Sequence, residues 1–196
     1  MRKVILSLIL AIFISGVVFA QTEAPPVQLS VGGGLYLGPA LFVGDWSDYL
    51  PNMFGIGFFC FFDATFVEAS LSMGWITGTQ FGYRYTQFDF SFSVLGKYPF
   101  DLGAFTIFPL AGLGLRIPLG EWLDGTRIPS EYRMNPNLFL SFGGGADFNI
   151  AAVPGLFVRP SLLFNFNFRP FGDDFSDLSA MMCVMPILRV AAGFRF

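Results

Sequence analysis

The closing stretch of the chain, from Val184 to Phe196, alternates apolar residues with small or charged ones. Every second residue counted back from Phe196 is apolar, while Arg189, Gly193 and Arg195 fall on the intervening positions. Because a β-strand turns successive side chains to opposite faces, this stretch predicts a strand with one wholly apolar face. One such strand fits either a soluble sheet or a membrane sheet, so the rest of the chain has to decide.

Seven further stretches repeat the alternation, and Gln87 to Val94 is the most regular of them. No helical period fits that stretch, which therefore indicates a strand. The connections between the stretches are alternately long and short, as in transmembrane barrels. The sequence predicts an all-β fold, an eight-stranded antiparallel transmembrane β-barrel built as an up-and-down meander. Its strands are expected near residues 27–38, 53–62, 65–75, 83–97, 104–117, 137–150, 156–168 and 183–196.

The size of the side chains indicates which face is the lumen. Most of the 27 phenylalanines fall on the wholly apolar face. Eight strands enclose an interior only just wide enough to be filled by side chains, so the face rich in Gly, Ser and charge suits the lumen. The bulky face then requires lipid as its solvent. A secreted, soluble barrel of the lipocalin type is an alternative, which would bury the phenylalanines and expose the charges.

The first residues predict an export signal. Arg2 and Lys3 precede a short apolar run, and Val18-Phe19-Ala20 provides small residues at the cleavage spacing. We expect cleavage after Ala20, which leaves residues 21–196 as one barrel domain. Without the two basic residues of the leader, nine basic and fourteen acidic residues give a net charge of −5. That charge argues against nucleic acid or an anionic lipid as a partner.

The alternation with a terminal aromatic resembles the closing strand of bacterial outer-membrane barrels. The architecture resembles the OmpA transmembrane-domain, OmpX and OmpW types, and the segments 95–100 and 105–115 look like parts of small spirochaete barrels. The resemblance implies outer-membrane localisation and lipid as a partner. It also implies that the barrel-assembly machinery binds the C-terminal strand, with Gly193, Phe194 and Phe196 as its signal.

Charged residues fall on the predicted lumen face. In this register three acids and three bases point inward, and they should pair because an isolated charge in a narrow lumen is costly. We expect one ion-pair network that plugs the lumen, formed by Glu68, Asp89, Asp147, Arg116, Arg159 and Arg189. A gated conduit for small or hydrophobic solutes is the alternative. Under it, the predicted inward aromatics Tyr36, Phe59, Phe61, Phe66, Phe108, Phe139 and Phe157 line a tunnel rather than fill space beside glycines.

Catalysis and bound cofactors are not expected. Barrel enzymes of this type rely on histidine, and the chain has none. We therefore predict no enzymatic activity, no cofactor and no metal site. The acidic run Asp173-Asp174-Phe175-Ser176-Asp177 offers oxygen ligands for Ca²⁺ but lacks the spacing of a known calcium loop, and a solvated loop is the simpler interpretation.

The long connection from Pro118 to Pro136 is the candidate surface contact. Such loops either bind an extracellular partner or simply cap the mouth of the barrel. The contact candidates in it are Trp122, Arg127, Tyr132 and Arg133. Aromatic belts at the two membrane interfaces are expected to include Tyr83 and Tyr85. Cys60 and Cys183 are expected at opposite ends of the barrel, too far apart for a disulfide.

Overall fold

A computed structural model describes residues 27–43, 52–129, 136–168 and 182–196. Within these ranges the chain forms eight long strands, each paired with the next. They are β1 (Leu29–Val43), β2 (Met53–Ala64), β3 (Val67–Gln80), β4 (Tyr83–Lys97), β5 (Phe105–Leu123), β6 (Asn137–Asn149), β7 (Leu156–Phe168) and β8 (Met182–Arg195). Two short strands, Phe100–Asp101 and Thr126–Arg127, pair with the two ends of β5.

The sheet closes because β1 pairs antiparallel with both β2 and β8. Every neighbouring pair is antiparallel and sequential, so the predicted eight-stranded meander barrel is confirmed. Within the described ranges, no helix is both long enough and apolar enough to cross a membrane. The expected leader, residues 1–20, lies outside the described residues.

The barrel has two distinguishable ends. We call the end that holds Leu29 and Arg195 the inner end, and the end that holds Val43 and Met53 the outer end. At the inner end β2 and β3 are joined only by residues 65 and 66, and β6 and β7 by residues 150–155. Strands β1, β3 and β5 extend further at the outer end than the sequence predicted.

The predicted connection between the third and fourth strands, residues 75–82, is too long. Strand β3 continues to Gln80, and the reversal consists only of Phe81 and Gly82, with φ angles of 53° and 84°. Both angles are positive, which is the geometry of a tight hairpin turn whose twist matches the strands. The hairpin of β3 and β4 therefore projects beyond the neighbouring strand ends.

The outward face of the barrel is apolar. Leu35, Ile56, Phe58, Leu113 and Leu138 are each about half exposed or more, and the neighbours of Ile56, Phe58 and Leu138 along their strands are buried. Aromatic stacking adds to this surface, with Trp75 over Phe88 at 4.8 Å between ring centroids. Such a surface is typical of contact with lipid, because exposing this large apolar area to water would be unfavourable.

Candidate functional site

The lumen holds the charged residues that the sequence pointed inward. Strand alternation places Glu68 on β3, Asp89 on β4, Arg116 on β5, Asp147 on β6, Arg159 on β7 and Arg189 on β8, and all of them are buried. No described residue group combines three His, Cys, Asp or Glu side chains in a metal-binding arrangement. The lumen is therefore best described through its ion pairs, its aromatic rings and the spaces between them.

Arg159 is the centre of the inner half of the lumen. Its guanidinium donates from Nε and Nη2 to Asp147 at 2.5 and 2.7 Å, and from Nη1 to Glu68 at 2.9 Å. Nη2 also lies 2.7 Å from Asp63 Oδ2, so the group bridges carboxylates of β2, β3 and β6. Charge-assisted hydrogen bonds of this kind are the strong ones, and a planar guanidinium can serve several carboxylates at once.

Three further cations complete this inner network. Arg189 donates from Nη2 to Glu68 Oε1 at 2.8 Å and from Nε to the Ser161 hydroxyl at 3.0 Å. Arg195 lies 3.1 Å from Asp147, and Lys97 pairs with Asp63. Six of the eight strands thus contribute to one set of ion pairs, which we call the inner network: Asp63, Glu68, Lys97, Asp147, Arg159, Arg189 and Arg195.

Aromatic rings surround the inner network. The Arg159 guanidinium lies 4.5 Å from the ring centroid of Phe61, 4.9 Å from Phe108 and 5.0 Å from Phe157. Arg189 lies 4.8 Å above Phe59. Desolvated cation–π contacts of this type contribute about 2 kcal/mol each. The inward aromatics therefore line the walls around the charged groups.

Asp89 and Arg116 form a second, looser pair nearer the outer end. Arg116 Nε lies 3.6 Å from Asp89 Oδ2, beyond hydrogen-bond distance, and Arg116 Nη1 donates to the Met185 sulfur at 2.8 Å. The other oxygen of Asp89 accepts a hydrogen bond from Gln87 Nε2 at 2.6 Å. The six residues of the predicted network thus separate into the inner network and this pair.

A small polar chamber lies between the two groups. Its volume is about 40 Å³, which holds about two or three water molecules at roughly 15 Å³ each. Serine hydroxyls line it, and Ser70 with Ser93 and Ser72 with Ser91 share hydrogen bonds of 2.7 Å. Asp89 Oδ2, which has no hydrogen-bond partner among the described atoms, belongs to the lining. The chamber is the size of a few waters and too small for an organic solute.

Apolar side chains fill the outer half of the lumen. A buried cluster contains Met53, Ile76, Met185 and Ile187, and Ile128 packs against it. The Ile128 amide donates to the Glu121 carbonyl at 2.9 Å, which continues the ladder between β5 and the strand Thr126–Arg127. These contacts form an apolar layer above the polar chamber, and we call it the outer cap.

The cap also contains a residue that the sequence placed elsewhere. Tyr85, expected in an aromatic belt, instead points into the lumen, and its hydroxyl lies 2.7 Å from Glu121 Oε2 and 3.1 Å from Gln87 Oε1. Tyr85 shares the strand parity of Gln87, and that signal was available in the sequence.

Asp63, Lys97 and Arg195 were missed as members of the network. Asp63 and Lys97 stand beside turn-forming residues, and the sequence was interpreted as a reversal there, although both belong to strands. Arg195 was assigned to the lumen face but given no partner. Parity extended by one residue beyond the predicted strand 53–62 places Asp63 inward, and Lys97 and Arg195 already have the inward parity of their predicted strands.

The remaining candidate residues lie at the two ends. Gly193 is inward and contacts the Phe157 ring, whereas Phe194 and Phe196 are outward with ring centroids 6.1 Å apart. Trp122 belongs to β5 and pairs with the exposed Arg127. Tyr132, Arg133 and the acidic run 173–177 lie outside the described residues. Cys60 and Cys183, both described, are not joined by a disulfide.

Comparison with known proteins identifies the fold. No protein-family model and no curated protein sequence matches the chain. Among solved structures, Neisserial surface protein A is similar with a TM-score of 0.58 and 11% identity, over 86% of this chain and 97% of that one. A major outer membrane protein of Thermus thermophilus gives 0.48 and 14%, over 87% and 99%, and OprG of Pseudomonas aeruginosa gives 0.44 and 10%, over 88% and 97%. At these identities the likeness concerns the fold, which is that of small bacterial outer-membrane barrels.

Proposed function

We propose that the protein is an exported, integral outer-membrane barrel with a surface role, no catalytic activity and a lumen closed to solutes. The apolar outward face supports the membrane location, because a closed barrel satisfies its backbone internally and can lie in lipid. A soluble lipocalin-like barrel would require its apolar side chains inside, where this lumen instead holds seven ionised groups of the inner network. The leader cleaved after Ala20 belongs to the same proposal.

The observation that carries the closed lumen is the reach of Arg159. From β7 its guanidinium bonds to carboxylates on β2, β3 and β6, and Phe61, Phe108 and Phe157 surround it. Passage of a solute would have to separate these charges in a medium of low dielectric constant, which costs several kcal/mol. The outer cap adds a second barrier of different chemistry above it.

Planar-bilayer conductance tests the closed lumen. We expect purified wild-type protein to give no large, stable conductance, and Arg159→Ser to raise the conductance because it removes the side chain that spans the lumen. Arg84→Gln is the matched control, since it removes an arginine from the outward face and leaves the lumen intact. Large, stable conductance from the wild type would contradict the proposal and favour the conduit.

The surface role is assigned to the outer-end hairpins. Phe81, at the tip of the β3–β4 turn, is 80% exposed, and Tyr83 beside it is 59% exposed. Large apolar side chains held out by a tight turn are typical of contact surfaces. These two side chains add to the contact candidates of the long connection, of which Trp122 and Arg127 are described.

Assembly in the membrane is the third part of the proposal. Phe196 is exposed on the outward face and its amide donates to the Leu29 carbonyl at 3.0 Å, so it lies at the seam between the first and last strands. We expect Phe196→Ala to lower the amount of protein in the outer membrane far more than Phe164→Ala, which removes an outward ring elsewhere. Quantitative blotting of membrane fractions measures this, and equal amounts for both variants would count against the terminal signal.

A further inference from the structure

The outward face of the barrel carries its polar residues in one place. Across the described parts of the eight strands, outward positions hold apolar residues or glycine except at the outer ends of β3 and β4. Those exceptions are Thr77 and Thr79 on β3 and Arg84 and Thr86 on β4. Arg84 is therefore the single charged side chain on the outward face of the described barrel strands.

A second arginine joins this patch from the outer hairpin. Thr86 pairs with Trp122 on β5, and Trp122 pairs with Arg127 on the short strand beyond it. Residues directly paired across antiparallel strands lie on the same face, so Arg127 shares the outward face with Arg84. We call this surface the basic rim, and it consists of Arg84, Arg127, Thr77, Thr79 and Thr86.

The basic rim is rigid. The Arg84 amide donates to Asp124 Oδ1 at 2.7 Å, and the Asp124 amide donates back to the Arg84 carbonyl at 2.9 Å. Asp124 and Gly125 have φ angles of 47° and 81°, the two positive values of a tight hairpin turn. The backbone positions of the two arginines are thus fixed, so binding a ligand requires no ordering of the backbone there.

The terminal guanidinium nitrogens of the two rim arginines have no hydrogen-bond acceptor among the described residues. Arg84 Nε donates to Thr77 Oγ1 at 3.4 Å, and the described residues take no hydrogen bond from its two terminal nitrogens. No described side chain pairs with the Arg127 guanidinium. Among the described residues, Asp124 is the acidic residue that contacts Arg84, and its Oδ1 accepts the Arg84 backbone amide. The two arginines of the rim outnumber this carboxylate.

The height of the rim identifies its surroundings. Ten residues separate Gly96 from Thr86 on β4, and at about 2.6 Å of height per tilted residue they span roughly the 25 Å apolar band of an outer-membrane barrel. The stacked pair Trp75 and Phe88 lies one step below Thr86, at the level of an aromatic belt. The arginines therefore stand at the level of lipid headgroups.

We infer that the basic rim binds the phosphate group of a membrane lipid in the outer leaflet. Two guanidinium groups offer forked donors that match phosphate oxygens, and the exposed Thr79 lies beside them on the same outward face. This inference rests on the proposed membrane location, and it assigns Arg127 and Trp122 to lipid rather than to a soluble partner.

Native mass spectrometry of the full-length barrel in neutral detergent tests the inference. The probes are short-chain phosphatidic acid, diacylglycerol with the same chains, and inorganic phosphate. We expect the wild type to retain phosphatidic acid and Arg84→Gln/Arg127→Gln to bind it at least about tenfold more weakly, since a hydrogen bond to a charged group is worth about 1.5–3 kcal/mol. Arg84→Lys, which keeps the charge and loses the fork, should fall between them.

Three results would overturn the lipid site. They are equal retention of phosphatidic acid by the double variant, equal retention of diacylglycerol by the wild type, and inorganic phosphate binding as tightly as the lipid. Heat-modifiable migration on gels establishes beforehand that each variant is a folded barrel. A chain that is soluble without detergent would refute the membrane location itself, and conductance by the wild type would leave the lipid result unaffected.

Discussion

The two halves of the lumen are filled by side chains of different chemistry. The inner half holds the seven charged groups of the inner network between phenylalanine rings, whereas the outer half holds the apolar cap with Tyr85 and Glu121 hydrogen-bonded inside it. Both halves are built on the same strand alternation. The comparison teaches that alternation decides which residues face inward, while the pairing register decides whether they meet a partner.

Small residues explain why the inner half can hold so many rings. Gly32 leaves room for the Phe61 ring, since a Cβ atom there would lie 2.5 Å from Phe61 Cζ. Phe61 in turn packs against the Arg159 guanidinium at 4.5 Å. In the outer half, flexible methionine side chains such as Met53 and Met185 fill the space instead. The inner half should therefore tolerate substitution less well than the outer half.

The largest effect is expected from Arg159→Met. The substitution leaves Asp63, Glu68 and Asp147 without their common partner, and breaking a buried ion pair costs about 3–5 kcal/mol. We expect the free energy of unfolding to fall by that amount in urea titrations of the protein in lipid vesicles. Met53→Leu is the matched change in the outer cap, where no polar contact is lost, and should cost less than about 1.5 kcal/mol.

A double substitution sharpens this test. Adding Glu68→Gln to Arg159→Met removes one of the stranded carboxylates, so the combined loss should be smaller than the sum of the single losses. Strict additivity, or a larger loss from Met53→Leu than from Arg159→Met, would show that the two halves do not differ as described.

An intermediate effect is expected from Gly32→Ala. The added methyl group must displace the Phe61 ring from Arg159, and overpacking of this kind costs about 1–3 kcal/mol. Gly96→Ala is the control, because a Cβ atom at Gly96 meets its nearest neighbour, the Ala111 carbonyl, at 3.5 Å. The midpoint of urea unfolding should shift for Gly32→Ala and stay nearly unchanged for Gly96→Ala. Equal shifts would contradict the proposal that the missing side chain of Gly32 makes room for the Phe61 ring.

The smallest effect is expected from Tyr85→Phe. Removing the hydroxyl takes one hydrogen-bond partner from Glu121 and one from Gln87, which should lower the free energy of unfolding by about 1 kcal/mol. Tyr83→Phe removes the same group from an exposed tyrosine and should change stability by less than about 0.5 kcal/mol. Identical unfolding curves for wild type and Tyr85→Phe would show that the cap depends on its apolar contacts alone.

The sequence predicted the barrel and the inward face because both follow from a period of two. It assigned Glu68, Arg159 and Arg189 to the lumen, and the structure places them there. It could not predict which of them pair, because partners such as Glu68 and Arg189 lie 121 residues apart and meet only through the stagger of the strands.

The sequence also hid the ends of the strands. Pro118 suggested the end of β5, yet the strand continues to Leu123 after a register shift opposite Phe88 and Asp89. A bulge of this kind breaks the simple alternation and brings Glu121 inward, beneath the cap. The basic rim lies on the same extension, so it was visible only once the pairing of the strands was known.

The inner network has a consequence for the assembly of the barrel. Its charges come from six strands, the last of which is β8, so the full set exists only after the final strand has docked. A strand shifted in register by one residue would turn its ionised group towards the acyl chains, where it lacks a partner of opposite charge. The ion pairs therefore form only when all strands are in the correct register, and a barrel with one strand out of register lacks their stabilisation in the bilayer.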